Sequence, residues 1–231
     1  MLIFILIPIL TFIFILIFNT KMFRFNMLLH SSNKHIAIIG NGGFAKEVAC
    51  NLKKYSYNFY INKSFITKEN INTVGAIEDI NFDKSKILLC IGDPVIRKKI
   101  VDSLPKNVHY MTYIDKYAII LNKETVNIGV GSIITSGCLL TTNINIGKFT
   151  VINLNTTIGH DTTIGNFVTV SPGVNISGNV NIGNNNFYGS NVSIRDNITI
   201  CDNVVVGMGS TVLKNIQIPG TYFGSPLKIN I

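Results

Sequence analysis

The sequence is short of histidine, of paired cysteines and, over its second half, of charge, and each shortage closes off a line of function. Only four histidines occur, His30, His35, His109 and His160, and a single one lies beyond residue 127. A zinc centre needs three or four nitrogen or sulfur ligands. A three-histidine zinc site in the second half is therefore excluded, and no metal is expected. Cys50, Cys90, Cys138 and Cys201 lie far apart with no CxxC pair. That spacing rules out a zinc ribbon and forces no disulfide framework, so reduced thiols in a cytoplasmic protein are the simplest account. Between Ile128 and Ile216 the only charged residues are Lys148, Asp161, Arg195, Asp196, Asp202 and Lys214, which cancel. The net charge of +8 thus belongs almost wholly to positions 1–127, with 16 Lys+Arg against 9 Asp+Glu. Those lysines are scattered and no nucleic-acid module accompanies them, so no nucleic-acid partner is expected. They read as solvated helix faces, and a basic front half also suits a phosphorylated small molecule.

What is abundant is apolar. Residues 1–18, MLIFILIPILTFIFILIF, carry one polar side chain, Thr11. As a helix the run would span about 27 Å, just short of a ~30 Å hydrocarbon core. It has neither a basic n-region nor a small-residue cleavage site, so it makes a poor signal peptide. Two readings stay open for this leader (1–20). It is a membrane anchor, with Lys21 and Arg24 keeping the remainder cytoplasmic, or it lies upstream of a true start at Met22 or Met27.

A front domain follows, over roughly 33–110. HIAIIG (35–40) reads as a buried strand, Gly40-Asn41-Gly42-Gly43 as a tight turn, and AKEVACNLKKY (45–55) as a helix. Glycines let a ligand approach the backbone, and a helix start offers free N–H groups to an anion. Gly40, Gly42 and Ala45 satisfy G-x-G-x-x-[GA], but a dinucleotide site wants a carboxylate at the end of the second strand. There NFYI (58–61) runs into Asn62-Lys63. The loop therefore reads as a phosphate or nucleotide-sugar cradle, or as a purely structural turn, rather than as an NAD site. KILLCIG (86–92) is a further strand, and DPVIRKKIVDSL (93–104) a helix capped by Asp93 with Pro94 in its first turn. In a parallel sheet Gly92 would lie beside the first glycine loop.

The strongest signal is a period of six. Stepping by six from Ile128 to Val212 meets fifteen apolar residues, all aliphatic except Tyr188, and glycine follows seven of them. Neither a helix nor a half-buried strand keeps such a period on one face. A coil of short strands with a turn every six residues does, with three sides and eighteen residues to a rung. The run then makes about five rungs of a parallel β-helix, within a domain over 111–217 and before a tail over 218–231.

At this point the residues resemble a known family. The hexapeptide pattern, preceded by IAIIGNGGFAKEV, is similar to the sialic acid O-acetyltransferase and UDP-4-amino-sugar N-acetyltransferase family. IGDPVIRKKI (91–100), IGHDTTIGNFVTVSPGVNISGNVNIG (158–183), VGMGSTVLKNI (206–216) and YFGSPLK (222–228) carry the resemblance. It implies a Rossmann-like α/β domain followed by a left-handed parallel β-helix, a homotrimer, and acetyl-CoA as co-substrate. It also implies a general base at His160 whose basicity is raised by Asp161. Histidine suits that task near neutral pH; outside this motif, the same residue would read as a surface histidine in a turn.

The resemblance further places the sugar side at Gly40, Asn41, Gly42, Gly43, Phe44, Asn62 and Gly92, with Asn153 close to the base. It puts the cofactor beside Thr169, Ser190, Gly207, Met208 and Lys214. Gly224 and Pro226 would shape the tail. The family often carries a histidine where this chain has Phe44, and some members carry an acidic pair at Asn62-Lys63 and a second histidine at Thr169. The reading is an N-acetyltransferase of a nucleotide-linked amino sugar. Its alternatives are O-acetylation of a sialic acid and a non-enzymatic β-helix that binds or scaffolds.

Overall fold

The structure, a computed structural model, describes residues 35–71 and 73–230. The leader over 1–18 lies outside the described residues, and among those described no helix is long and apolar enough to cross a membrane.

The front unit is a four-stranded parallel sheet in the order β3-β2-β1-β4, formed by β1 (His35–Ile39), β2 (Tyr57–Ile61), β3 (Val74–Ala76) and β4 (Ser85–Leu89). Helix α1 (Gly43–Ala49) follows β1, and α2 (Pro94–Ser103) follows β4. Asp93 caps α2 as expected, its carboxylate accepting the Ile96 N–H at 2.9 Å. Helix α1 is shorter than the pattern to Tyr55 suggests. After Ala49 the chain tightens into turns, Leu52 N–H to Ala49 and Tyr55 N–H to Leu52, while the Asn51 amide reaches Asp115 at 2.7 Å.

The second unit is the expected coil. Its short strands stack in register at eighteen-residue intervals into three parallel sheets, beginning with β5 (Tyr113–Ile114) and β6 (Ile119–Ile120). All fifteen residues of the six-residue step end a strand, and all but the half-buried Ile128 are buried. The stacked sheets fit a left-handed β-helix of the hexapeptide type. Between strands the chain turns through a residue with positive φ. Seven of the ten non-glycine residues there are asparagine, one is Asp161, and two are Phe149 and Phe167. Asparagine tolerates this left-handed conformation because its short side chain bonds locally. That accounts for the Asn-x-Thr sequons at Asn155 and Asn197, which are corners.

The two phenylalanines have another reason to be there. Their rings stack at 5.1 Å, and Tyr110 meets Phe149 edge-on at 4.8 Å. They pack into the core beneath the front sheet, with Ile39, Ile87 and Leu89. A bulky residue with positive φ costs about 1–2 kcal/mol. Burying a phenylalanine ring and stacking it gains roughly 2–4 kcal/mol, so docking wins. Beside this wedge, Ile133 and Val151 point outward from consecutive rungs of one coil sheet, yet they are buried in a cluster with Ala45, Val48 and Leu52. The outward column continues through Thr169 to Phe187 and Val205, and it opens to solvent by Val205. The front unit thus covers one sheet of the coil over its first four strands, at Tyr113, Ile133, Val151 and Thr169.

Candidate active site

Two loops meet at the carboxyl edge of the front sheet. Gly40 follows β1 with φ +118°, and a Cβ there would lie 2.5 Å from the Cys90 carbonyl oxygen. Only glycine permits that approach, so the 40–43 loop lies against the chain leaving β4, as expected for Gly92. Gly42 and Gly43 have open space where a side chain would be. Asn41 is half-buried. Phe44 packs into the apolar cluster under α1 rather than lining the loop, and Asn62 spends its carboxamide oxygen on the Ser64 N–H and hydroxyl. These two side chains are held by their own surroundings.

On the coil, β12 (Thr157–Ile158) delivers the chain to a corner at His160 and Asp161. His160 therefore stands at a corner of the coil. The imidazole Nδ1 lies 2.7 Å from the Asp161 Oδ2, with the side chains 63% and 51% exposed. Asn143, at the equivalent corner one rung earlier, donates its amide to the Asp161 Oδ1 at 3.0 Å. The hydrogen bonds from His160 and then Asn143 hold the Asp161 carboxyl below its ordinary value of 3.8. Asp161 is thus the charged member of a column otherwise made of Asn143, Asn179 and Asn197. One rung beyond the histidine is Gly178, and a Cβ on it would lie 2.6 Å from both Cε1 and Nε2 of the ring. The imidazole lies directly over a position with no side chain. With Nδ1 engaged by the carboxylate, Nε2 is the nitrogen left to take up a proton.

Sequence reasoning missed Gly178 and Asn143. Both are eighteen residues from a residue it singled out, so stepping one rung in either direction finds them. It also expected Asn153 beside the base. Asn153 accepts from the Thr135 hydroxyl and the Leu154 N–H, next to a small cavity of about 50 Å³ that Asp115, Thr135 and Leu154 help to line. Thr169, expected beside the cofactor, is buried under the front unit. Its hydroxyl donates to the Gly92 carbonyl at 2.6 Å and accepts from Arg97 at 2.9 Å. The physical reason is its place in the covered outward column. Ser190 and Gly207 are half-buried on later rungs, while Met208 (75% exposed) and Lys214 are solvent-facing. Among the described residues, no group of three His, Cys, Asp or Glu side chains is placed to hold a metal ion.

Solved structures share this fold. The acetyltransferase domain of PglB from Neisseria gonorrhoeae FA1090 matches with a TM-score of 0.75 at 24% identity, over 85% of this chain and 100% of that one. The same domain is known in complex with acetyl coenzyme A. PerB from Caulobacter crescentus, in complex with CoA and GDP-perosamine, matches with a TM-score of 0.76 at 22% identity, over 85% and 97% of the two chains. WeeI from Acinetobacter baumannii AYE gives 0.70 at 26% identity, over 84% and 99%. No protein-family model and no curated protein matches the chain. The resemblance read from the sequence is borne out at the level of the fold, which is that of sugar acetyltransferases of the hexapeptide type.

Proposed function

We propose that this chain is an acetyl-CoA-dependent N-acetyltransferase acting on a nucleotide-linked amino sugar. The observation that carries the reading is the His160–Asp161 pair at 2.7 Å, exposed on the coil of an acetyltransferase fold. Neighbours of that fold are solved with acetyl coenzyme A and with CoA and GDP-perosamine, which supports the same two ligand classes here. In this reading the front unit is a Rossmann-like module. Its Gly40–Gly43 and Gly92 loops take the nucleotide sugar, with the diphosphate against the open backbone at Gly42 and Gly43.

The amine of the sugar attacks the thioester carbonyl of acetyl-CoA, and His160 Nε2 removes the proton from the attacking nitrogen. The tetrahedral intermediate collapses, expelling the CoA thiolate and leaving an amide. Asp161 fixes the tautomer and stabilises the imidazolium that forms. Backbone N–H groups of the coil would meet the oxyanion. Ser190, Gly207, Met208 and Lys214 lie along the path of the cofactor. A homotrimer would supply the second wall of a cleft over the exposed base, and the globular part would act in the cytoplasm.

Mass spectrometry of products from acetyl-CoA with UDP- and GDP-linked amino sugars, and with sialic acids, tests the reading. A single added acetyl group on the amine of a nucleotide sugar is expected. In His160→Ala, turnover should fall ~10²-fold or more while the protein stays folded. Acetylation of sialic acid hydroxyls alone, no acetyl transfer at all, or near-normal turnover in a folded His160→Ala would each defeat it.

A further inference from the structure

Arg97, on α2, is fully buried. Its guanidinium donates five hydrogen bonds. Nη1 reaches the Ile91 carbonyl at 2.5 Å and the Gly92 carbonyl at 3.1 Å. Nε reaches the Phe149 carbonyl at 2.8 Å, and Nη2 the Val168 carbonyl at 3.0 Å and the Thr169 hydroxyl at 2.9 Å. Guanidinium has five N–H groups, so every one is used. Two bonds hold the loop leaving β4 and three hold the coil. Thr169 closes the ring by donating to the Gly92 carbonyl at 2.6 Å.

Stability alone is a poor reason for this arrangement. Buried guanidinium loses its hydration, and among the described residues no carboxylate pairs with it. Burial pushes its pKa down to about 10, so it is still charged at neutral pH. An apolar residue would escape the desolvation cost but leave the Ile91 and Phe149 carbonyls without this donor. What an apolar residue could not supply is direction. The planar fork fixes five oxygen atoms relative to one another, and a lysine could not reproduce it. The oxygens it fixes belong to the Gly92 loop, which abuts Gly40, and to two successive rungs of the coil: Phe149 at a corner of one, and Val168 with Thr169, which opens β14 (Thr169–Val170) nine residues beyond His160, on the next.

We propose that Arg97 and Thr169 are positioning residues, a clamp that sets the sugar-binding loops at a fixed distance from the base and acts on the nucleotide-sugar side of the reaction rather than on acetyl-CoA. The kinetic part rests on the function proposed above; the structural part does not.

Thr169→Val keeps the volume and removes the hydroxyl, and Thr169→Ser restores it. For Thr169→Val, KM for the nucleotide sugar that the wild type turns over should rise about tenfold. KM for acetyl-CoA should stay within about twofold and kcat within about threefold, and Thr169→Ser should recover most of the loss. Hydrogen exchange at the 91–93 and 40–43 amides should quicken in Thr169→Val. A rise in KM for acetyl-CoA with the sugar KM unchanged would return Thr169 to the cofactor and overturn the proposal, as would two unchanged KM values. If the wild type acetylates no nucleotide sugar, the proposed function fails, yet exchange still decides the clamp: unchanged protection at 91–93 in folded Thr169→Val refutes it.

Discussion

Replacing Gly178 with alanine adds a single methyl group beneath the proposed base, and the structure sets the size of the effect. The new Cβ would lie 2.6 Å from both Cε1 and Nε2 of His160, where ordinary contacts are 3.4–4 Å. The ring must therefore move by about 1 Å or swing away, and a displacement of that size can cost roughly 10²-fold in rate. It would also stretch the 2.7 Å contact to Asp161 beyond a useful hydrogen bond. Gly178 has no positive φ, so alanine brings no backbone strain and the coil should keep its melting temperature. Expected in steady-state assays is a fall in kcat of about 10²-fold, with circular dichroism and thermal midpoint close to wild type. Turnover within about threefold of wild type in a folded Gly178→Ala protein would show that the ring position does not govern catalysis.

Asp161→Asn keeps a residue suited to the left-handed corner but removes the charge facing His160, so folding should survive while kcat falls at least about tenfold; an unchanged kcat would remove Asp161 from the mechanism. Because the folded carboxyl is held below 3.8, its contribution to the folded state is complete above the ordinary carboxylate range and is lost as pH falls through the depressed value. A carbon-detected NMR titration should find Asp161 still ionised where free aspartate is half protonated, and a midpoint at or above 3.8 would contradict the geometry. Phe149→Asn relieves about 1–2 kcal/mol of backbone strain but forfeits the burial and stacking of the ring, roughly 2–4 kcal/mol, and leaves a cavity that adds to the loss. A net destabilisation of about 2 kcal/mol or more should appear in denaturant unfolding, and a more stable variant would mean that the wedge does not hold the two units together.

The coil was legible because its cause is a repeated local rule. An inward aliphatic residue every six positions, with a left-handed corner three places later, leaves its mark on the sequence itself. That His160 lies outside the core followed from the same rule, but its place at a corner did not, because the six-residue step of apolar residues marks the inward positions and not the turns. The docking of the front unit was harder to read, because it depends on contacts between residues far apart in the chain. Even so, there was a signal. Outward strand positions are often polar, as at Thr157, Thr163, Asn175 and Asn181, while Ile133 and Val151 are apolar and fully buried on consecutive strands of one column. Phe149 and Phe167 depart from the pattern at corners that favour asparagine or glycine. These four exceptions mark the surface that the front unit covers, and Thr169 lies on the same column, buried between Arg97 and the Gly92 carbonyl. Arg97 gave no signal of that kind. Nothing in PVIRKKI distinguishes the arginine that turns inward from the exposed lysines beside it.

A stack of parallel strands has open ends, and an open end is a template on which another strand can be laid. The tail after the last rung closes all three sheets. Ile216 bridges to Ile200 beside β19 (Thr199–Ile200). Gly224 and Leu227 exchange backbone hydrogen bonds with Thr211 on β21 (Thr211–Val212). Over β20 (Val204–Val206) lies β22 (Gly220–Phe223), with β23 (Lys228–Asn230) running antiparallel to it as the outermost strand. That reversal of direction matters, because a second coil arriving head-on would find a strand of the wrong polarity to extend. The closing segment thus does for this solenoid what a terminal repeat does for other repeat proteins: it gives the stack a defined length and separates a discrete molecule from a fibre.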